Sequence, residues 1–132
     1  MIGIVVVTHG NMCVELIKTA EMVIGECQNT MAIPFLCHES CEERTLKIEQ
    51  AIFQVNQGDG VVICTDFIGG SCCTISGAFL RDENIEVLTG VNLPMIINLV
   101  NHRNEGRLKD AVVTAREAGI KNIVNLRERM KQ

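Results

Sequence analysis

The chain alternates short aliphatic runs with longer segments in which apolar residues return every three or four positions. Ile2–Val7 is almost unbroken aliphatic, the pattern of a strand buried on both faces. Asn11 is placed to cap a helix, along which Val14, Ile17, Ala20 and Ile24 recur at helical spacing before Gly25 stops it. Thr30–Leu36 reads as a second strand. Pro34 inside it donates no ladder hydrogen bond, so this strand belongs at a sheet edge. Cys41–Val55 follows as a second helix, with Leu46, Ile48, Ile52 and Val55 available for packing. The turn QGDG leads into a third strand ending near Asp66, and Ser71 opens a third helix that reaches about Arg81. A fourth strand spans Ile85–Val91. The loop VNLP then leads into a helix from Pro94, a favoured first helical residue. Leu108–Ala118 forms a last helix that Gly119 ends, and KNIVNL, residues 121–126, is expected to be a short closing strand.

Alternating strand and helix predicts an α/β fold of three layers, a mostly parallel sheet covered by helices on both faces. For four strands the order 2-1-3-4 puts Pro34 on an edge, as its missing donor requires. No linker, repeat or low-complexity tract divides the chain, so residues 1–132 are read as a single domain. Nearly half of the residues are apolar and about a fifth are charged, which excludes disorder. With no Trp, no Tyr and four Phe, the core is aliphatic, and an aromatic platform for stacking RNA bases is excluded. A net charge of −4 leaves no basic footprint for nucleic acid. No run of about twenty apolar residues exists to span a bilayer, and MIGIVVVTHG reads as a first strand rather than a signal peptide. Seven cysteines, an odd number without an export signal, point to free thiols in a reducing cytoplasm.

The predicted strand order reverses its direction of winding between strands 1 and 3, and ligands of open α/β sheets bind beyond the carboxyl ends of strands at such a point. His9 follows strand 1 and Asp66 ends strand 3. Neighbouring strands lie about 4.8 Å apart, so the two side chains are within reach. A carboxylate on one ring nitrogen fixes the imidazole tautomer and leaves the other nitrogen free as a nucleophile. If Asp66 holds Nδ1, the free atom is Nε2. The turn Gly69-Gly70-Ser71 lies alongside. Its glycines permit close backbone approach, and the amides at the start of helix 3 favour an anion. Nucleophile, orienting carboxylate and anion cradle together suit phosphoryl transfer. Each part alone is common in ordinary loops, so their convergence is the signal.

Four segments carry a family resemblance: THG after strand 1, LIKTAEMVIG in helix 1, TDFIGGS after strand 3 and GVNLPM after strand 4. In this order and at these separations they resemble the mannose-type (mannose/fructose/sorbose) IIA domains of the bacterial phosphoenolpyruvate-dependent sugar phosphotransferase system. The resemblance implies a cytoplasmic phosphocarrier, a phosphotransferase component that accepts a phosphoryl group from HPr and passes it to a IIB component serving a membrane permease. It maps His9 onto the phosphorylated histidine, Asp66 onto its orienting partner, and Gly69, Gly70 and Ser71 onto the phosphate-side turn. It implies neither cofactor nor metal. It also implies a homodimer exchanging a short strand, for which KNIVNL is in the right place. The family usually continues GGS with Pro and, two positions later, Asn, whereas this chain reads SCCT. That departure lies at the rim where partners dock, and it opens a second reading as a regulatory phosphoacceptor of an incomplete relay.

A third reading comes from the cysteines. Cys37-His38-Glu39-Ser40-Cys41 sets three potential ligands in one loop, and Cys72-Cys73 adds two thiols near His9. Structural zinc normally uses paired ligands at tighter spacing with a second pair elsewhere. A thiol switch at Cys72 would draw on a helix N-terminus that favours the thiolate. Cys13, Cys27 and Cys64 read as small buried apolar residues. A phosphoaspartate receiver would need an acidic cluster after strand 1, and a dinucleotide fold would need G-x-G-x-x-G there; THGNMC offers neither.

Overall fold

The computed structural model describes residues 1–131. Strands β1 (Gly3–His9), β2 (Thr30–Phe35), β3 (Val61–Thr65) and β4 (Ile85–Leu88) alternate with helices α1 (Met12–Ile24), α2 (Cys41–Val55), α3 (Ser71–Gly77), α4 (Leu93–His102) and α5 (Leu108–Lys121). A 3₁₀ turn, Ala78–Arg81, extends α3, and a one-turn helix α6 (Leu126–Met130) follows α5. The sheet is parallel throughout, in the order β2-β1-β3-β4. Sheet order and class agree with the sequence reading. Pro34 sits on the edge strand β2, which pairs only with β1.

The aliphatic run of β1 is explained by its two faces. Ile4 and Val6 pack into one core with Cys13, Ala20, Met95, Ile96, Leu99 and Ala115 of α1, α4 and α5. Val5 and Val7 enter a second core with Ile48, Ala51 and Val55 of α2 and Cys72 and Ile75 of α3. All four β1 side chains are fully buried. Period-two alternation therefore places successive aliphatic residues of β1 in opposite layers. At the carboxyl end of the strand the pattern gives way to the buried Thr8 and then the exposed His9.

Three details depart from the sequence reading. Gly119 does not end the last helix, because α5 continues to Lys121. The residue is there for packing: a Cβ at Gly119 would lie 3.2 Å from both Asn92 Oδ1 and Met95 Cε, and the Asn92 amide donates to the Gly119 carbonyl at 3.1 Å. Asn11 does occupy the cap position of α1, but its side chain makes no capping bond. The buried Thr8 hydroxyl substitutes, accepting from the Cys13 N–H at 2.9 Å while donating to the Gly10 carbonyl at 3.1 Å. Lastly, KNIVNL is not a strand within the single chain. A strand exists only with a ladder partner, and here the segment is the end of α5, a short extended link and the start of α6.

Candidate phosphoryl-transfer site at the carboxyl end of the sheet

The register of β1 and β3 pairs Val7 with Thr65, so the next residues of both strands leave the sheet at the same end. His9 is the last residue of β1, and its Nδ1 lies 2.7 Å from Asp66 Oδ2. The same carboxylate oxygen accepts the main-chain N–H of His9 at 2.8 Å, and Asp66 Oδ1 accepts the N–H of Phe67 at 2.9 Å. An oxygen that accepts a main-chain donor beside the ring makes Nδ1 the protonated nitrogen, since a carboxylate offers no proton in return. Burial pushes the Asp66 carboxyl up, but the hydrogen bonds from the His9 amide, the His9 ring and the Phe67 amide outweigh it, and the net value lies below the ordinary aspartate range. Asp66 is thus a firmly ionised anchor with a side chain only 9% exposed, beside an imidazole that is 47% exposed.

The other ring nitrogen, Nε2, faces the Ser71 hydroxyl at 3.3 Å. Ser71 is the first residue of α3, preceded by Gly69, with φ +85°, and Gly70. The left-handed backbone at Gly69 is the conformation glycine adopts without penalty, and it turns the chain back toward His9. Gly70 is required for space. A Cβ there would sit 2.8 Å from Phe67 Cζ and 3.2 Å from His9 Cε1. The five residues named from the sequence, His9, Asp66, Gly69, Gly70 and Ser71, therefore converge on one spot.

Two contributors, Phe67 and Thr8, escaped the sequence reading, and a third, Cys72, was named there as a thiol near His9 but not as a buried ring neighbour. The Phe67 ring stacks on the imidazole, with centroids 5.4 Å apart and an interplanar angle of 21°. Its position directly after Asp66, exposed and in a chain with four phenylalanines, was the available signal. Thr8 pins the turn that ends in the histidine, as described above. Cys72 Sγ lies 3.6 Å from His9 Nδ1. The thiol is fully buried, and burial, then the negative charge of Asp66, pushes it up to about 12. Cys72 therefore does not carry the easily formed thiolate that its helix position suggested. All seven cysteines are free. The CHESC loop brings no three ligands together, and among the described residues the one such gathering is His9, Asp66 and Cys72.

This geometry is accompanied by a family match. The model described as "PTS system fructose IIA component" matches residues 3–116. The chain belongs to this family. The mannose-specific EIIAB component of the phosphotransferase system of Escherichia coli K12 is 35% identical over 126 residues, 91% of this chain and 39% of that protein, so the chain spans about two fifths of that relative's length. The fructose-specific EIIA component of Bacillus subtilis 168 is 28% identical over 111 residues, covering 83% of this chain and 76% of that protein. Among solved structures, phosphotransferase system component EIIA from Streptococcus agalactiae superposes with a TM-score of 0.89 at 23% identity, over 97% of this chain and 99% of that one. The IIA protein associated with a fucose utilization operon of Streptococcus pneumoniae gives 0.82 at 25% identity, over 97% and 95%. The expected fold is thus shared, and the chain is a IIA domain of the phosphotransferase-system family. No described helix is long and apolar enough to cross a membrane.

Proposed function

We propose that this IIA domain is a cytoplasmic phosphocarrier in which His9 Nε2 accepts a phosphoryl group from HPr and yields it to a IIB component. The observation that carries the reading is the pair of contacts on the ring: Asp66 holds Nδ1 at 2.7 Å, so Nε2 keeps its lone pair and faces the open side of the site, 3.3 Å from the Ser71 hydroxyl. In the forward step Nε2 forms a bond to phosphorus as the bond from phosphorus to the donor's histidine nitrogen breaks. The phosphorylated ring retains its Nδ1 proton. Asp66 stabilises the positive character that the ring gains, and the Ser71 hydroxyl and the amides of the glycine turn receive the phosphate oxygens. The return step is the same displacement by an acceptor in IIB, so the site must admit two proteins in turn.

Exposed apolar side chains at this end of the molecule, Met12, Leu36, Phe67 and Ile68, support such docking. A homodimer would bury the exposed Ile120, Ile123, Val124, Leu126 and Met130 of the C-terminal segment. The test is direct. With phosphoenolpyruvate, enzyme I, HPr and magnesium, the intact mass should rise by one acid-labile phosphate in the wild type and remain unchanged in His9→Gln. An unmodified wild type, or a phosphate retained by His9→Gln, would refute the assignment.

A further inference from the structure

We propose that His9, Asp66 and Cys72 form a binding site for a divalent cation of borderline softness, Zn²⁺ above all, and that its occupation is incompatible with phosphoryl transfer. One ligand atom from each of His9, Asp66 and Cys72 lies within 4.8 Å of the other two. Sγ is 3.6 Å from Nδ1, close to the separation of about 3.6 Å that tetrahedral zinc imposes on a nitrogen at about 2.05 Å and a sulfur at 2.3 Å. The Nδ1–Oδ2 pair, now a hydrogen bond of 2.7 Å, needs to open by about 0.6 Å, a small swing of the carboxylate. Imidazole, thiolate and carboxylate form a donor set suited to zinc, and thiolate keeps magnesium and calcium out.

Charge balances as well. A carboxylate and a thiolate neutralise the dication, so no net charge enters a pocket in which Cys72 is wholly buried. The bound metal displaces the Cys72 proton to solvent. On its open side the half-exposed His9 leaves a fourth position to water.

Exclusion follows from the ring's own proton count. Neutral imidazole carries one N–H. In the metal-free site that proton is on Nδ1, directed at Asp66. When Nδ1 gives its lone pair to a metal, the proton moves to Nε2, where the Ser71 hydroxyl can accept it. A protonated Nε2 has no lone pair to offer phosphorus. The metal would also draw off the charge of Asp66, which otherwise supports the phosphorylated ring. This exclusion rests on the phosphocarrier reading above, whereas the metal site itself does not.

Cobalt(II) titration of the purified protein tests the site independently of any phosphate donor. One equivalent should produce a thiolate-to-cobalt charge-transfer band with the intense visible bands of a tetrahedral site, and zinc should bleach both. The bands should disappear in Cys72→Ser, a near-isosteric change, and weaken at least tenfold in apparent affinity in Asp66→Asn. No thiolate band in the wild type, or an undiminished band in Cys72→Ser, overturns the site; the latter would place the metal at Cys37 and Cys41. Nitrogen-15 spectra of imidazole-labelled protein test the switch. Zinc should move the His9 proton from Nδ1 to Nε2 while His38 and His102 serve as references, and an Nε2 that remains unprotonated with zinc bound overturns it. Finally, purified phospho-HPr is offered to protein with and without one equivalent of zinc. Uptake by the metal-free form alone supports the exclusion, and equal uptake overturns it. Uptake by neither would sink the phosphocarrier reading, with the cobalt spectrum still deciding the metal site.

Discussion

At the residue scale the site is controlled by one carboxylate. Replacing Asp66 by Asn keeps an oxygen able to accept from the ring but removes its charge. A charged hydrogen bond exceeds a neutral one by about 1.4 kcal/mol, so phosphoryl transfer to Asp66→Asn should slow by roughly tenfold with the fold intact. Single-turnover uptake from phospho-HPr measures this, and an unchanged rate would remove the orienting role. The lowered carboxyl value of Asp66 also carries a pH signature. A group that ionises more readily folded than unfolded adds stability above its unfolded value, about pH 4, and that stability is lost as the pH falls through the lower native value. Denaturant midpoints of wild type and Asp66→Asn should therefore converge in acid and separate above about pH 4. His9 and Asp66 were legible in the sequence because a strand that stops being aliphatic exposes its next polar residue at a predictable place. The stacking of Phe67 and the burial of Cys72 were not, since both depend on how the turn after Asp66 folds back, which no periodicity records.

At the scale of elements, the turn between β1 and α1 holds His9 in place. Thr8 is buried and uses its hydroxyl twice, to cap Cys13 and to bond the Gly10 carbonyl. Thr8→Val preserves shape while leaving the Cys13 N–H unpaired, so it should cost about 1–3 kcal/mol. Urea unfolding with an unchanged slope would register this as a lower midpoint. The strands and the helix centres were readable because aliphatic continuity and helical spacing are local signals. Gly119 was misread because a helix-stopping glycine and a glycine that admits a neighbouring side chain look alike in one dimension; only Asn92 and Met95 pressing on it tell them apart. Asn11 was credited with a cap that Thr8, three residues earlier, supplies.

At the scale of the whole molecule, four strands in the order β2-β1-β3-β4 leave two bare edges, and the β4 edge strand has only four residues. The C-terminal segment 121–126 was expected as a strand from sequence and is not one in the single chain, because pairing is a property of two partners rather than of the segment. Sedimentation equilibrium should report a dimer for the full chain, and deletion of residues 122–132 should shift it to a folded monomer with unchanged far-ultraviolet circular dichroism. A full chain that sediments as a monomer at tens of micromolar would end the dimer proposal.

Asp66 Oδ2 touches both the ring and the main-chain N–H of the same residue. That shared oxygen makes the backbone amide of His9 a built-in gauge of what the imidazole is carrying. Any group that draws electron density from the ring, whether a phosphoryl group or an ion, must also alter the pull felt by the amide proton. In the proposed carrier, loading of the ring would therefore be registered at the main-chain amide of His9 through the shared Asp66 Oδ2.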